Sequence, residues 1–396
     1  MKKNTSLFII LLFAFTFAFA IIIIDELQLS SENSGIIFEK VFADTSSNLW
    51  YNQPLVSTRG DFDLTTGQLI GYSPLSYNAL NIPGVQNEKC PQSPNKTVIY
   101  IHGYGVNGKT FVSENAAEIF SRVNMSLYNN TNNDIKNTVI GFNWDSDIIA
   151  SKDKAWGIAK HVAKNNGLKL AQFLLDLKNK CPNIDLRLIA HSLGARVALS
   201  SLDILHNHPE WNDKNFTVKS VHLLAAAVDN EEISKNPFDI IKDPTNGYNM
   251  NVTELKYPPL NKLKSSFGEA IEDEVGQFYN LYSPKDDSLE WFYPLNEKDT
   301  ALGLHGAENG TSLPSNYIDR NVQSQIKPFC DADGHNSCDY PYNIILYSTP
   351  SEGDNHFGYI GFRDANGTLK DDGAMDVVVS DWEKQEINKI SDTIQQ

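Results

Sequence analysis

The sequence predicts an α/β protein with a mainly parallel, doubly wound sheet and a lid-like insertion between a strand ending near residue 225 and one beginning near 277. Three observations carry this expectation. Short apolar runs of strand length alternate with amphipathic stretches from residue 97 onward, and such alternation implies parallel pairing. A serine, Ser192, stands between an apolar strand and an amphipathic helix in the run from Asp185 to Ser200. The rhythm then breaks over residues 230–276, a Pro- and Asn-containing stretch whose length inside a compact domain tends to be functional.

The N-terminus reads as an export signal, with Lys2 and Lys3 ahead of an unbroken apolar run from Leu7 to Ile24 and a small-x-small site at Ala18-Phe19-Ala20. The run nearly reaches bilayer-spanning length, so residues 1–24 are expected to be a signal peptide or an N-terminal membrane anchor. Either assignment puts the body outside the cytoplasm, as a secreted protein or on the extracellular face of the membrane. A second small-x-Ala break, Val41-Phe42-Ala43, offers another maturation point. Residues 25–60 form an exported N-terminal segment, and 61–396 one domain carrying the 230–276 insertion.

The net charge of −16 becomes −18 once Lys2 and Lys3 are removed with the leader. That balance repels nucleic acid and anionic membrane surfaces, which leaves a membrane contact only through the N-terminal anchor. Four cysteines, an even number, suit an oxidising compartment. Cys330 and Cys338 bracket a short polar loop and form the natural local bridge. Cys90 and Cys181 each precede a strand, so they would meet if those strands are parallel neighbours. Sequons at Asn95, Asn124, Asn129, Asn215, Asn251, Asn309 and Asn366 suggest glycosylated surface loops.

Along the chain, residues 44–96 read as leading antiparallel strands and loops. Thr97-Val-Ile-Tyr-Ile101 is a buried-strand run that opens into the small-residue turn His102-Gly103-Tyr104-Gly105. A helix from Ser113 to Val123 and an Asn-rich loop follow. Next come the strand Thr138–Phe142 and a long helix over 154–180, the latter marked by an apolar stripe from Ala159 to Leu177 and stopped at Cys181-Pro182. Thr217–Leu224 is a further strand, within which His222 reads as a packed or edge histidine rather than a ligand. Gln277–Tyr282 and Asn343–Tyr347 complete the strands, the latter as the last of the sheet.

In Ala190-His-Ser192-Leu-Gly194, small residues let strand and helix approach while the serine sits at the strained apex of the turn. The Leu193 amide and the positive end of the following helix are placed to receive an oxyanion. The His-Gly turn supports a second donor, the Tyr104 amide. An acid is expected after Gln277–Tyr282, where Asp286 and Asp287 stand together. The preference falls on Asp287, which has an apolar neighbour at Leu289, with Asp286 as the alternative. Downstream histidines are His305, His335 and His356. His356 is preferred because it follows the expected last strand, and His305 is the alternative base. The loop from Asp331 to Asp339 has oxygen ligands around Gly334, yet it lacks the full calcium-loop spacing and reads as a disulfide-closed turn. No zinc spacing is present, and neither a metal nor another cofactor is expected.

With these residues in view, the chain resembles the α/β-hydrolase superfamily, and within it a poorly characterised lipase- or esterase-like group. The resemblance rests on the His102-Gly103 turn, Gly141-Phe-Asn-Trp-Asp-Ser146, the Ala190–Arg196 elbow and Leu281-Tyr-Ser-Pro-Lys-Asp-Asp287, and covers about 95–365. Ala190 replaces the usual glycine. The resemblance implies the chain order serine, acid, histidine, and a strand order that makes the strands at Thr97 and Asp185 neighbours, hence a Cys90–Cys181 bridge. The implied function is an exported serine hydrolase acting on a small-molecule or lipid carboxylic ester through Ser192, Asp287 and His356. The alternatives are a catalytically silent glycosylated surface protein on the same scaffold, or an amidase, peptidase or thioesterase.

Overall fold

A computed structural model describes residues 54–70, 73–82, 90, 96–106, 116–131, 138–236, 266–327, 353–363 and 369–395. The signal or anchor segment, residues 237–265 of the insertion, the Cys330–Cys338 pair, His335, the 331–339 loop and the 343–347 strand lie outside the described residues. Among the described residues no helix is long and apolar enough to cross a membrane.

Eight strands form one sheet: β1 (Leu55–Ser57), β2 (Asn78–Leu80), β3 (Lys96–Ile101), β4 (Thr138–Asn143), β5 (Asp185–His191), β6 (Ser220–Leu224), β7 (Phe278–Tyr282) and β8 (Tyr317–Asn321). Their order is β2-β1-β4-β3-β5-β6-β7-β8, and every pairing is parallel except β1 with β2. The sheet takes its first strand ahead of residue 61, where the sequence places the start of the domain. β5 and β6 are buried almost throughout, which is why they read as continuous apolar runs.

Helix α1 (Ala116–Asn130) packs against the C-terminal helix α5 (Met375–Gln395). Helix α2 (Lys152–Lys180) packs on α3 (Gly194–His206), which in turn contacts α4 (Gly268–Glu274). Arg187 of β5 lies under α5, with its guanidinium 4.9 Å from the Trp382 ring. His222 is fully buried on β6 and stacks on Tyr279 at 4.5 Å, as a packed histidine does.

Three local expectations need correction. Helix α1 runs on to Asn130 because Val123 and Leu127 are both buried on one face, so the apolar spacing outlasts the Asn-rich composition. The 230–276 stretch, expected to be a lid-like insertion, includes α4, a crossover helix between β6 and β7. Trp211 Nε1 donates to Glu274 at 2.6 Å, and the Phe267 and Gly268 amides bond the Glu232 and Ser234 carbonyls at 2.7 and 3.1 Å. β8 was not anticipated. Its sequence, Tyr-Ile-Asp-Arg-Asn, carries two charges on a partly exposed strand and gives a weak apolar signal.

The Cys90–Cys181 disulfide is present, with Cα atoms 5.7 Å apart. Its two cysteines precede β3 and β5, which pair in parallel with Lys96 opposite Asp185.

Candidate active site

β5 ends at His191 and α3 begins at Gly194, leaving Ser192 and Leu193 to make the reversal. Ser192 adopts φ 54°, in the left-handed region, which costs a non-glycine residue of order 1–3 kcal/mol. Three backbone bonds hold it there. Its amide donates to Leu224 O at 2.9 Å, and its carbonyl accepts from the Ala195 and Ala227 amides at 3.0 and 3.1 Å. Gly194 is fixed by close approach, since a Cβ there would stand 2.6 Å from the carbonyl oxygens of Ile101 and His102.

The same proximity brings the His102–Gly105 turn to the serine. A Cβ on Gly103 would lie 2.7 Å from Ser192 Cβ, so only glycine lets the turn pass this close. The end of β4 braces that turn. Trp144 Nε1 donates to His102 O at 2.8 Å, and the His102 Nε2 faces the Trp144 amide at 3.2 Å. Burial, with Arg59 beside it, lowers the His102 pKa to about 3, so the ring is a neutral brace. The Gly105 amide is spent on Ser146 O and the Val106 amide on Ser146 Oγ, at 2.9 and 3.1 Å. The Tyr104 and Leu193 amides have no such acceptor among the described residues; Leu193 directly follows Ser192, and Tyr104 follows Gly103, whose added Cβ would lie 2.7 Å from Ser192 Cβ. This arrangement explains why the Asn143-Trp-Asp-Ser146 run at the end of β4 accompanies the elbow in the sequence.

His356 Nε2 stands 2.9 Å from Ser192 Oγ. Its Nδ1 lies 3.0 and 2.9 Å from the two carboxylate oxygens of Asp286. The structure therefore corrects the preference for Asp287. The Asp286 side chain is fully buried and its Oδ1 also accepts the Leu289 amide at 3.0 Å, which orients the carboxylate at the start of the next helical turn. Leu289 is thus the third residue after an Asp cap, a spacing that points to Asp286 rather than to the aspartate nearest the leucine. Asp287 turns its amide to Asp354 O at 3.2 Å. Its pKa is pushed up to about 6 by burial and by Asp354, Asp286 and Glu290.

His305, the alternative base, is exposed at the end of the short helix Leu302–His305 and makes none of these contacts. His191, Ser283 and Arg59 were not singled out in the sequence. Ser283 Oγ donates to Gly353 O at 2.8 Å, tying the acid loop to the histidine loop. Arg59 Nε donates to Asn143 Oδ1 at 2.7 Å and Nη1 to Asp147 at 2.5 Å, bracing the β4 end from a segment that carries no motif.

Behind the elbow, Arg196 on α3 pairs with Glu232 through bonds of 3.1 and 2.6 Å, both side chains being buried. Asp229, Glu231 and Asp299 bring carboxylate oxygens within 4.8 Å of one another, and Tyr293 Oη donates to Asp229 at 2.7 Å. Chemically, a serine hydroxyl bonded to an imidazole that is itself bonded to a buried carboxylate can surrender its proton to Nε2 as the oxygen attacks.

No curated protein sequence matches the chain. Among solved structures, lipase B from Aspergillus fumigatus aligns over 71% of this chain and 52% of its own, at 10% identity and TM-score 0.35. The chain thus spans about half the length of that lipase. A predicted CIB-like hydrolase from Thermoplasma acidophilum aligns over 58% and 76%, at 13% identity and TM-score 0.27. The Pyrococcus furiosus esterase Pf2001 aligns over 57% and 71%, at 15% identity and TM-score 0.25. The family described as "Alpha/beta hydrolase of unknown function (DUF900)" matches residues 85–289, just over half of the chain, and the chain belongs to this family of α/β hydrolases.

Proposed function

We propose that this protein is an exported serine hydrolase that cleaves carboxylic esters through a covalent acyl-enzyme. The observation that carries the reading is the continuous path from Ser192 Oγ through the His356 imidazole to Asp286, with separations of 2.9 Å on each side. His356 takes the serine proton during attack and returns it to the leaving alcohol. Asp286 holds the Nδ1–H tautomer and stabilises the imidazolium that forms. The Leu193 and Tyr104 amides receive the developing oxyanion, a contribution of about 3 kcal/mol per donor in comparable sites. Water then enters along the same path to release the acid.

Export rests on the N-terminal signal or anchor pattern and agrees with the Cys90–Cys181 disulfide. The substrate is a small-molecule or lipid ester. The test is turnover of a panel of p-nitrophenyl esters by the purified protein and by Ser192→Ala. Ester cleavage by the parent with a loss of several powers of ten in the variant supports the reading. A folded protein that cleaves none of the esters, while its serine still reacts with amide or thioester probes, moves the assignment to those chemistries. One that reacts with no acyl probe moves it to a binding role.

A further inference from the structure

The catalytic imidazole proposed above belongs to a loop held from two directions. On one side the acid loop grips it, through Asp286 on the ring, Ser283 on the Gly353 carbonyl and the Asp287 amide on the Asp354 carbonyl. On the other side the contact comes from the strand that carries the nucleophile. His191 Nε2 lies 2.8 Å from the main-chain oxygen of His356. A carbonyl can only accept, so His191 donates and carries its proton on Nε2.

We infer that His191 is a positioning residue that sets the His356 main chain, and through it the base, against Ser192. Three features make this more than packing. His191 is the residue immediately before Ser192, so its bond ties base and nucleophile through one short stretch of β5 rather than through the acid. Its ring lies 4.9 Å from the His356 ring, tilted by 48°. Its Nδ1 and carbonyl oxygen also border the oxyanion turn, since a Cβ on Gly103 would lie 3.3 Å from Nδ1 and 3.2 Å from the oxygen. One buried side chain therefore bonds the loop of the base and lies beside the turn that approaches the nucleophile.

The work also requires the ring to stay neutral, because an imidazolium at this distance would oppose the charge that His356 acquires in the transition state. Burial first, then the facing His356, Arg122 and His102, hold the His191 pKa well below its ordinary value. The ring is thus a donor that carries no competing charge. A phenylalanine would fill the same space without donating, and a glutamine places an amide N–H near the Nε2 position.

The inference rests on the serine-hydrolase reading, and its test separates the two. His191→Phe should lower kcat about tenfold at nearly unchanged KM, while His191→Gln should recover most of that loss, as expected for one buried hydrogen bond left unmade and then restored. The rate of Ser192 labelling by a fluorophosphonate should fall and recover in parallel. Parental kcat in His191→Phe, or a glutamine variant as impaired as the phenylalanine one, would overturn the inference. If the phenylalanine variant does not fold, nitrogen-15 spectra of the parental imidazoles at pH 7 decide. The proton on Nε2 of His191 is expected, and a proton on Nδ1 instead, or a charged ring, would overturn it. A parental protein that neither labels nor turns over esters refutes the hydrolase reading itself, and leaves the tautomer of His191 to be read separately.

Discussion

Asp286 and His356 face each other across 2.9 Å, while Asp287, the very next residue, directs its amide to Asp354 O. Two adjacent aspartates thus meet different partners, and under the proposed function only Asp286 serves the imidazole. Asp286→Asn should remove about four powers of ten from kcat, because an amide stabilises the wrong tautomer of the imidazole. Asp287→Asn should retain most of the activity. Steady-state kinetics on the two variants settles the assignment, and the reverse pattern would restore the role to Asp287.

Asp287 has a second measurable consequence. Its pKa is raised to about 6, chiefly by burial and then by Asp354, Asp286 and Glu290. A carboxyl whose folded pKa is raised favours the folded state fully below the unfolded value near 4, and that contribution is lost as pH climbs toward 6. Asp287→Asn should therefore raise the melting temperature at pH 8 and leave it nearly unchanged at pH 3.5. Thermal melts of both proteins across this range provide the check, and a gain confined to low pH would contradict the sign.

The Arg196–Glu232 pair should behave as a buried ion pair does when one partner is removed. Glu232→Ala leaves the guanidinium buried at the back of the elbow helix, with an expected loss of about 3–5 kcal/mol. Chemical denaturation of the variant measures it. A change below about 1 kcal/mol would mean that water or another acid takes over the arginine.

Reduction of Cys90–Cys181 should destabilise without silencing. The bridge closes a sequence separation of 91 residues, worth about 4.6 kcal/mol in the chain-entropy description. The bond lies before β3 and β5, whereas Ser192 follows β5, so the melting temperature should drop while the protein that remains folded keeps its turnover. Activity that vanishes on reduction before unfolding would contradict this placement.

Much of this architecture is legible in the sequence where a residue is constrained by one short stretch of chain. Ser192 and Gly194 announce themselves because strand, turn and helix are contiguous, and Cys90 and Cys181 follow once their strands are neighbours. His356 was reachable from chain order. For the acid, chain order leaves Asp286 and Asp287 equal; the cap spacing to Leu289 is a local signal for Asp286, whereas the Asp287 amide contact with Asp354 spans more than sixty residues. β8 escaped because a short, partly exposed strand carries little apolar signal. His191 was visible only as a neighbour of the serine, and its bond to His356 spans 165 residues of chain.

The most direct measurement is mass-spectrometric mapping of a fluorophosphonate adduct on the parental protein, alongside Ser192→Ala and His356→Ala. A single adduct on Ser192 is expected, absent from Ser192→Ala and slowed by several powers of ten in His356→Ala. A folded parental protein with no adduct, or one labelled at a different residue, would contradict the proposed active site.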